Sequence, residues 1–390
     1  MKVIRVIPIA KGIGRETLSY FTGAEVTIGN IVKVPLRNRI ISGLIVAIEN
    51  AEDLKASIKT LDYEIRRVEK VHAEAGLPES FIATCAKTAE ISFTTTGAIL
   101  SAMTPAFLLD GSVVKKLSRI HEMHAGKDVI CEKLSIQADD EERFSHYKSL
   151  IREDFAKKRS VFLCVPSIQD IETVREALEK GIEQYTYTLT SQTDGLKLKK
   201  VWKEIAQNSH SLLLIGTPHF LPVFRDDIGT IIIERENAKG YYLRERPYSD
   251  TRLFTEIFAE KLGARLIVGD ALLRTETIWR TKTNEFHEYA PLKFRSLSTA
   301  TIHKIDMRAY SEAGGKKFSV LSEESHTLIS DTKAKSEHCF VFCARRGLSP
   351  STVCSDCGTT VACTTCGAPT VLHGKTGKDV GTQNFFMCHR

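Results

Sequence analysis

The 390-residue chain contains no apolar run approaching the roughly 18 residues that a membrane-crossing helix requires. Its first residues, MKVIRVIPIAKG, alternate like a strand and lack the basic, apolar and small-residue succession of a secretory signal, so the expected compartment is the cytoplasm, with no membrane partner. A large charge excess is missing as well. The 54 basic and 48 acidic residues leave a formal charge of +6, which permits a polyanionic partner without demanding one. No repeat of fixed period and no low-complexity tract is found, which excludes solenoid arrays and compositionally biased linkers. Nor is there a G-x-x-x-x-G-K-[ST] run, the glycine-rich turn whose successive backbone N–H groups wrap a triphosphate. What is present, 42% hydrophobic and 26% charged residues, describes a globular protein of roughly two to four domains.

The ten cysteines are unevenly spread. Cys85, Cys131 and Cys164 stand alone in apolar settings, whereas Cys354, Cys357, Cys363, Cys366 and Cys388 crowd the C-terminal end. Two thiolates separated by two residues can turn on a tight knuckle and present both sulfurs to one tetrahedral Zn²⁺ at about 2.3 Å. Gly358 and Gly367, each directly after its second cysteine, suit that turn. Incidental thiols or a redox-active pair are the alternatives. Two knuckles so close together, with no thioredoxin-like setting before them, favour metal. Five clustered cysteines do not complete two four-ligand sites, and His373 and His389 are the nearby imidazoles that could fill gaps.

Along the chain, short alternating segments (VIRVIPIA, EVTIGNIVKVPL, ISGLIVAI) broken by Gly, Asn and Pro predict a small β-rich domain, followed by a helix around Ser80–Thr88. The stretch Ile40–Ile48 is apolar on both faces and is expected to be a central strand. Residues 108–142 lose periodicity, gain lysines and end in Asp139, Asp140, Glu141 and Glu142, and read as a linker. From Arg143 the pattern becomes helix Ser145–Lys157, strand Val161–Val165, helix Ile168–Lys180, strand Tyr185–Leu189, helix Gly195–Gln207, and strands Ser211–Ile215, Gly229–Ile233 and Arg265–Val268. Such alternation implies a mostly parallel sheet covered by helices. In the second of these helices Ile168, Ile171, Val174, Ala177 and Leu178 share a face, with Ser167 as N-cap and Gly181 as left-handed stop. A further strand is expected at His338–Cys343, directly before Arg345 and Arg346, while roughly 281–335 is only weakly periodic.

The stretch CARRGLSPSTVCSDCGTTVACTTCGAPTVLH, Cys343–His373, closely resembles the segment of the PriA (primosomal protein N′) replication-restart helicase family in which a strand ends in a doubled arginine and runs into a zinc module. The succession Glu16–Gly23, IVKVPLRNRIISGLIVAI, IKTLD and TTTGAILSAMTP similarly resembles that family's 3′-DNA-binding domain. The resemblance implies a pocket for the 3′-terminal nucleotide, built from an aromatic–acid–aromatic tripeptide, a position after a Val-Pro turn, and a lysine. These correspond to Leu18, Ser19 and Tyr20, to Arg37 where glycine is usual, and to Lys59. One ring is kept and the carboxylate has become serine. A packing role for the Tyr20 ring stands beside a stacking role. Arg37 could narrow the pocket or add a phosphate contact, and Arg345 and Arg346 are candidates for phosphate contact or lobe packing. Other cations, among them Arg66, Arg67 and Lys70, read as solvation. In the zinc module the resemblance implies that Cys363, Cys366 and Cys388 share one metal with a fourth thiolate lying beyond residue 390, and that Cys354 and Cys357 lack their partners, so that the chain reads as truncated inside the module.

The motor motifs that the resemblance leads one to expect are not there. QADDEERFS stands where the phosphate loop belongs, with Arg143 near the lysine position. Its carboxylates would repel a triphosphate by roughly kilocalories per mole even at an effective dielectric near 20. The acidic DE-x-H box reads Glu234-Arg235-Glu236-Asn237, taken as a solvated loop after an ordinary strand, and Ser-Ala-Thr-Pro reads Gly269-Asp270-Ala271-Leu272. Binding of ATP and Mg²⁺ is therefore not expected.

The resulting expectation is an α/β chain in five parts. They are a 3′-DNA-binding domain (1–107), a linker (108–142), a degenerate RecA-like lobe (143–296), the start of a second lobe (297–350) and a partial zinc module (351–390). The expected function is recognition of 3′-ended or branched DNA in primosome assembly without ATPase activity, with single-strand-binding protein and primosome components as further partners. An interaction scaffold that does not hold DNA, and an active 3′–5′ helicase, are the competing readings.

Overall fold

The computed structural model describes residues 2–50, 65–72, 76–111, 131–292, 300–307, 321–342, 347–349, 351–364, 367–375 and 383–389. The chain divides into two compact units, Met1–Ser296 and Leu297–Arg390. Lys59, Arg345, Arg346 and Cys366 lie outside the described residues.

The first unit begins with a six-stranded sheet of β1 (Lys2–Ile9), β2 (Leu18–Thr22), β3 (Ile31–Leu36), β4 (Arg39–Asn50), β5 (Arg66–Arg67) and β6 (Lys70–His72), in the order β5-β2-β1-β4-β3-β6. The strand expected to be central is so: β4 pairs antiparallel with both β1 and β3. One face buries Ile4, Val6, Val32, Val34 and Ile45, and the other receives helices α1 (Glu79–Ile91) and α2 (Thr96–Met103). Gly97 lets α2 lie against β1, since a Cβ there would sit 2.0 Å from the carbonyl oxygen of Pro8.

A parallel sheet follows, built from β7 (Lys133–Gln137), β8 (Ser160–Cys164), β9 (Thr186–Leu189), β10 (Leu213–Gly216), β11 (Ile228–Glu234), β12 (Arg265–Asp270) and β13 (His287–Glu288), in the order β13-β7-β12-β11-β8-β10-β9. The connecting helices are α3 (Asp140–Ala156), α4 (Ile168–Leu178), α5 (Gly195–Gln207), α6 (Thr251–Leu262) and α7 (Thr275–Lys282). The inner strands β8, β10, β11 and β12 carry apolar runs because both faces are covered. Leu163, Ile215 and Ile232 face one core with Leu150 and Ile171, while Phe162, Leu214 and Ile231 face the other with Trp202, Phe254 and Phe258. That second core also takes Phe81 of α1, whose ring meets Phe254 edge-on at 5.5 Å. The N-terminal sheet and the α/β lobe thus share buried aromatic packing, worth about 3–5 kcal/mol for a single Phe→Ala truncation.

Two expectations are corrected here. The stretch read as a linker over 108–142 ends in β7 and the first turn of α3; within it, 112–130 lie outside the described residues. Its polar residues are buried because they find partners: the Ser135 hydroxyl lies 3.3 Å from that of Thr281, and the Gln137 side chain accepts from the Leu273 N–H at 3.0 Å. The strand expected at His338–Cys343 does not form over 338–342, where Phe340 and Phe342 stand exposed with no pairing strand among the described residues.

In the second unit the described elements are helix α8 (Glu323–Ala334), capped by Ser322, and the antiparallel hairpin β14 (Val371–Lys375) and β15 (Gln383–Met387). No helix among the described residues is long and apolar enough to cross a membrane.

Candidate nucleic-acid interface

Four of the sequence-predicted residues come together. Leu18, Ser19 and Tyr20 on β2 and Arg37 in the β3–β4 turn line one pocket of about 250 Å³, completed by Arg15, Pro35, Leu36 and Arg66. Arg37 and Asn38 are the two residues between the strands, and Arg37 has φ 52. The first central position of such a tight hairpin favours glycine because a Cβ is crowded in the left-handed region. The guanidinium of Arg66 donates to the Arg37 carbonyl at 3.0 Å, tying the turn to β5. Arg66, read from sequence as a solvated cation, is therefore a wall of the pocket. Its pairing with Tyr20 across the β2–β5 ladder is a tertiary fact that no local pattern announces.

Tyr20 is 4% exposed, packs in the sheet core and donates its hydroxyl to the Pro35 carbonyl at 3.1 Å. Of the two roles open to this ring, packing and base stacking, packing is the one its burial supports, since no open ring face is left for a base. A larger depression of about 750 Å³ shares Arg15, Leu18, Leu36 and Arg37 with the pocket and adds Lys11, Gly12, Asn38 and Arg39.

At the carboxyl ends of the parallel strands, where doubly wound sheets hold their ligands, the structure places a buried ion pair. Only Ala138 and Asp139 separate β7 from α3, too few to wrap a phosphate chain. Asp139 caps the helix by accepting from the Glu142 N–H at 3.0 Å, and Asp140, Glu141 and Glu142 fill the first turn. Arg143 reaches back under the sheet end, donating from Nε to Glu234 Oε2 at 2.9 Å and from Nη2 to Glu234 Oε1 at 2.6 Å. Its other donors meet Ala138 O at 2.8 Å and Asp140 Oδ1 at 2.7 Å. The Tyr147 hydroxyl adds a third bond to Glu234, at 2.7 Å. Burial opposes the charge on Arg143, yet the Glu234 carboxylate more than offsets it and holds the guanidinium above its ordinary pKa, while burial pushes the Tyr147 phenol up.

The reading of Glu234 and Glu236 as a solvated loop is overturned: both are buried. Glu236 accepts from the Arg274 N–H at 2.7 Å and from the Thr277 hydroxyl at 2.9 Å, and burial raises its pKa. Arg235 between them turns outward to Asp170 on α4, at 2.5 Å. Gly269 is required beneath this cluster, because a Cβ there would lie 1.8 Å from the Tyr147 oxygen.

The two cysteine knuckles have matching backbones. Gly358 N–H donates to Cys354 O and Gly367 N–H to Cys363 O, both at 2.9 Å; Cys354 N–H donates to Thr359 O and Cys363 N–H to Ala368 O, both at 2.8 Å. Gly358 and Gly367 have φ of 70 and 69. The Thr359 hydroxyl beside Cys357 draws its thiol below the ordinary range. The turn geometry and the soft thiolate donors fit zinc. Among the described residues, which include Cys354, Cys357, Cys363 and Cys388, no three such side chains converge on a metal position. His373 and His389 meet each other, Nε2 to Nε2 at 2.7 Å.

Residues 6–105 match the family model for the 3′ DNA-binding domain of PriA. The replication restart protein PriA of Haemophilus influenzae is 25% identical over 251 residues, covering 62% of this chain and 32% of that one. That of Synechocystis is 25% identical over 253 residues (62% and 29%), and that of Bacillus subtilis 25% identical over 174 residues (44% and 21%). The matched stretch spans about a third of the first two relatives' length. Among solved structures, the C-terminal domain of Saccharomyces cerevisiae Dbp5 bound to Gle1 is 10% identical, covers 40% of this chain and 88% of that one, and has a TM-score of 0.31. The N-terminal domain is thus similar to the 3′ DNA-binding domain of PriA, and the longer matches run through the α/β lobe to replication restart proteins of that name.

Proposed function

We propose that this chain binds 3′-ended or branched DNA in replication restart and does so without hydrolysing ATP. The observation that carries the first half is the convergence of Leu18, Ser19, Arg37 and Arg66 on one pocket within the domain that matches the 3′ DNA-binding model. A partly apolar floor with cations at the rim suits a terminal nucleotide whose phosphates stay near solvent. Serine in place of the carboxylate at position 19 keeps a hydroxyl that can accept from or donate to a 3′-OH, without the charge.

The second half is supported by the Arg143–Glu234 pair, which fills the space at the strand ends where phosphates and Mg²⁺ would sit. A helix start capped by Asp139 at the Glu142 N–H and crowded with carboxylates sets negative charge where an anion would have to sit. Cys363, Cys366 and Cys388 are the residues that would hold zinc, as a cross-link of the C-terminal segment with no part in chemistry. Single-strand-binding protein and primosome components are the further partners this reading implies.

Fluorescence titration of the whole chain with 3′-OH and 3′-phosphate single strands examines the DNA reading; it expects preference for the free hydroxyl and a steep fall with salt. Absence of binding at low salt would leave the scaffold reading in its place. DNA-stimulated phosphate release by the pure chain would overturn the ATPase half.

A further inference from the structure

Helix α1 ends in a backbone arrangement that normally carries glycine. The Thr94 N–H donates to Ala89 O at 3.0 Å and the Phe93 N–H to Glu90 O at 3.4 Å, which makes Phe93 the residue in the left-handed position, with φ 50. A bulky residue is disfavoured there, and the burial that could offset the strain is not taken: Phe93 is 97% exposed. Close by, Tyr248 is 70% exposed. The loops bearing the two rings are tied together by the hydroxyls of Ser92 and Ser249, 3.2 Å apart. Phe93 and Tyr248 line one pocket of about 280 Å³ together with Lys11, Thr94 and Arg246.

That pocket is continuous with the nucleotide pocket. It shares Lys11, Gly12 and Ile13 with the large depression, which in turn shares Arg15, Leu18 and Arg37 with the 3′-end site. The floor of the whole track carries Lys11, Arg15, Arg37, Arg39, Arg66 and Arg246 and, among the described residues, no carboxylate, although Glu245 pairs with Lys11 from beside it at 3.2 Å. Two exposed rings at one end of a groove lined by cations are what a single-stranded nucleic acid recognises, with bases on the rings and phosphates on the cations.

We propose that a DNA strand whose 3′ end occupies the pocket runs 5′-ward across the Lys11–Arg15 loop to a second station, where bases stack on Phe93 and Tyr248 and phosphates meet Lys11 and Arg246. This rests on the 3′-end reading above and extends it to the nucleotides that follow. It makes Phe93 and Tyr248 residues that set how much strand is engaged, while the Ser19 pocket sets which end is recognised.

The experiment is anisotropy titration of the whole chain with 3′-OH and 3′-phosphate oligothymidylates of about 4 and about 16 nucleotides, lengths at the ends of the usual single-strand site range. The longer strand should bind about tenfold or more tightly, and Phe93→Ala with Tyr248→Ala should remove at least about tenfold of that gain while the short strand is unaffected. Phe93→Tyr should retain the gain, and Arg246→Gln should reduce it and flatten the salt dependence. Length-independent binding, or a double alanine variant indistinguishable from the parent, overturns the track while leaving the end pocket. Length-dependent binding without preference for 3′-OH keeps the track and removes the end pocket. Failure of both lengths to bind at low salt removes both.

Discussion

Arg143 and Glu234, 91 positions apart in sequence, clasp each other through two parallel hydrogen bonds in the interior of the α/β lobe. Removing one partner of such a pair strands the other charge in low dielectric, whereas replacing both with apolar groups is often close to neutral. Arg143→Met and Glu234→Leu are therefore each expected to cost about 3–5 kcal/mol. The double substitution should cost clearly less than their sum. Urea unfolding of the four proteins gives the coupling; additive losses would mean that the pair is not the structural clasp described.

Two other buried carboxylates should respond to pH in opposite directions. Glu256 is buried, which alone would raise its pKa, but Arg280 and Lys133 bind it, the latter at 2.6 Å, and bring it below the ordinary value. A depressed folded pKa contributes stability that is present above the unfolded value of about 4.3 and is lost as pH falls through the folded value. Glu256→Gln should cost about 1–3 kcal/mol at neutral pH, and the deficit should close in acid. Glu236 is raised by burial, so its ionisation disfavours the folded state and stability from this group grows as pH falls from the raised value towards about 4.3. Glu236→Gln should accordingly cost little at neutral pH and progressively more in acid. Thermal midpoints followed from neutral pH down to about pH 2 cover both windows and separate the two slopes, and parallel slopes would refute the assignment.

Arg37 and Phe93 both occupy left-handed backbone with a full side chain, at φ 52 and φ 50. Relief of that crowding by Arg37→Gly or Phe93→Gly is expected to raise stability by about 1 kcal/mol each. Function should move the other way. Arg37→Gly should weaken all single strands and lower the salt slope by about one ion, while Phe93→Gly should weaken only strands long enough to reach it. A gain in stability with DNA affinity unchanged in both variants would show that these side chains are retained for some other reason.

Much of the lobe was legible because buried parallel strands are written as uninterrupted apolar runs: VFLC of β8, LLI of β10 and TIII of β11 have no surface side to encode. The strand that escaped, β7, carries Ser135 and Gln137 into the interior, and their partners Thr281 and Leu273 lie far along the chain. Helix α6 went unread although its signals are local: Asp250 accepts from the Arg252 N–H at 3.0 Å as N-cap, and Gly263 at φ 65 closes the helix. The pocket residues on β2 and Arg37 were reached through family resemblance, whereas Arg66 and Phe93 were not. A cation beside other cations reads as solvent-facing, and a phenylalanine in a left-handed position leaves no glycine to mark it. The burial of Glu234 was hidden for the same reason as β7: a charged triplet reads as surface until its partner, Arg143 on the distant helix α3, is known.

The glycines of the cysteine knuckles allow the metal reading to be examined apart from the thiolates. Gly358 and Gly367 have left-handed φ, and open space lies where a Cβ would be, so substitution there changes only the backbone preference of the turn. If the knuckles hold zinc, Gly358→Val and Gly367→Val should each oppose the turn by about 1–2 kcal/mol, which corresponds to roughly a tenfold loss of zinc affinity in competition with a chromophoric chelator. The effect should be larger at Gly367, whose knuckle contains Cys363 and Cys366, the pair expected to share a metal with Cys388. Cys363→Ser should release that metal outright, because a serine hydroxyl does not supply the thiolate. Zinc content unaltered by Cys363→Ser would remove these cysteines from the site, and metal loss with Cys363→Ser but not with either glycine variant would show that the turn geometry is incidental to binding.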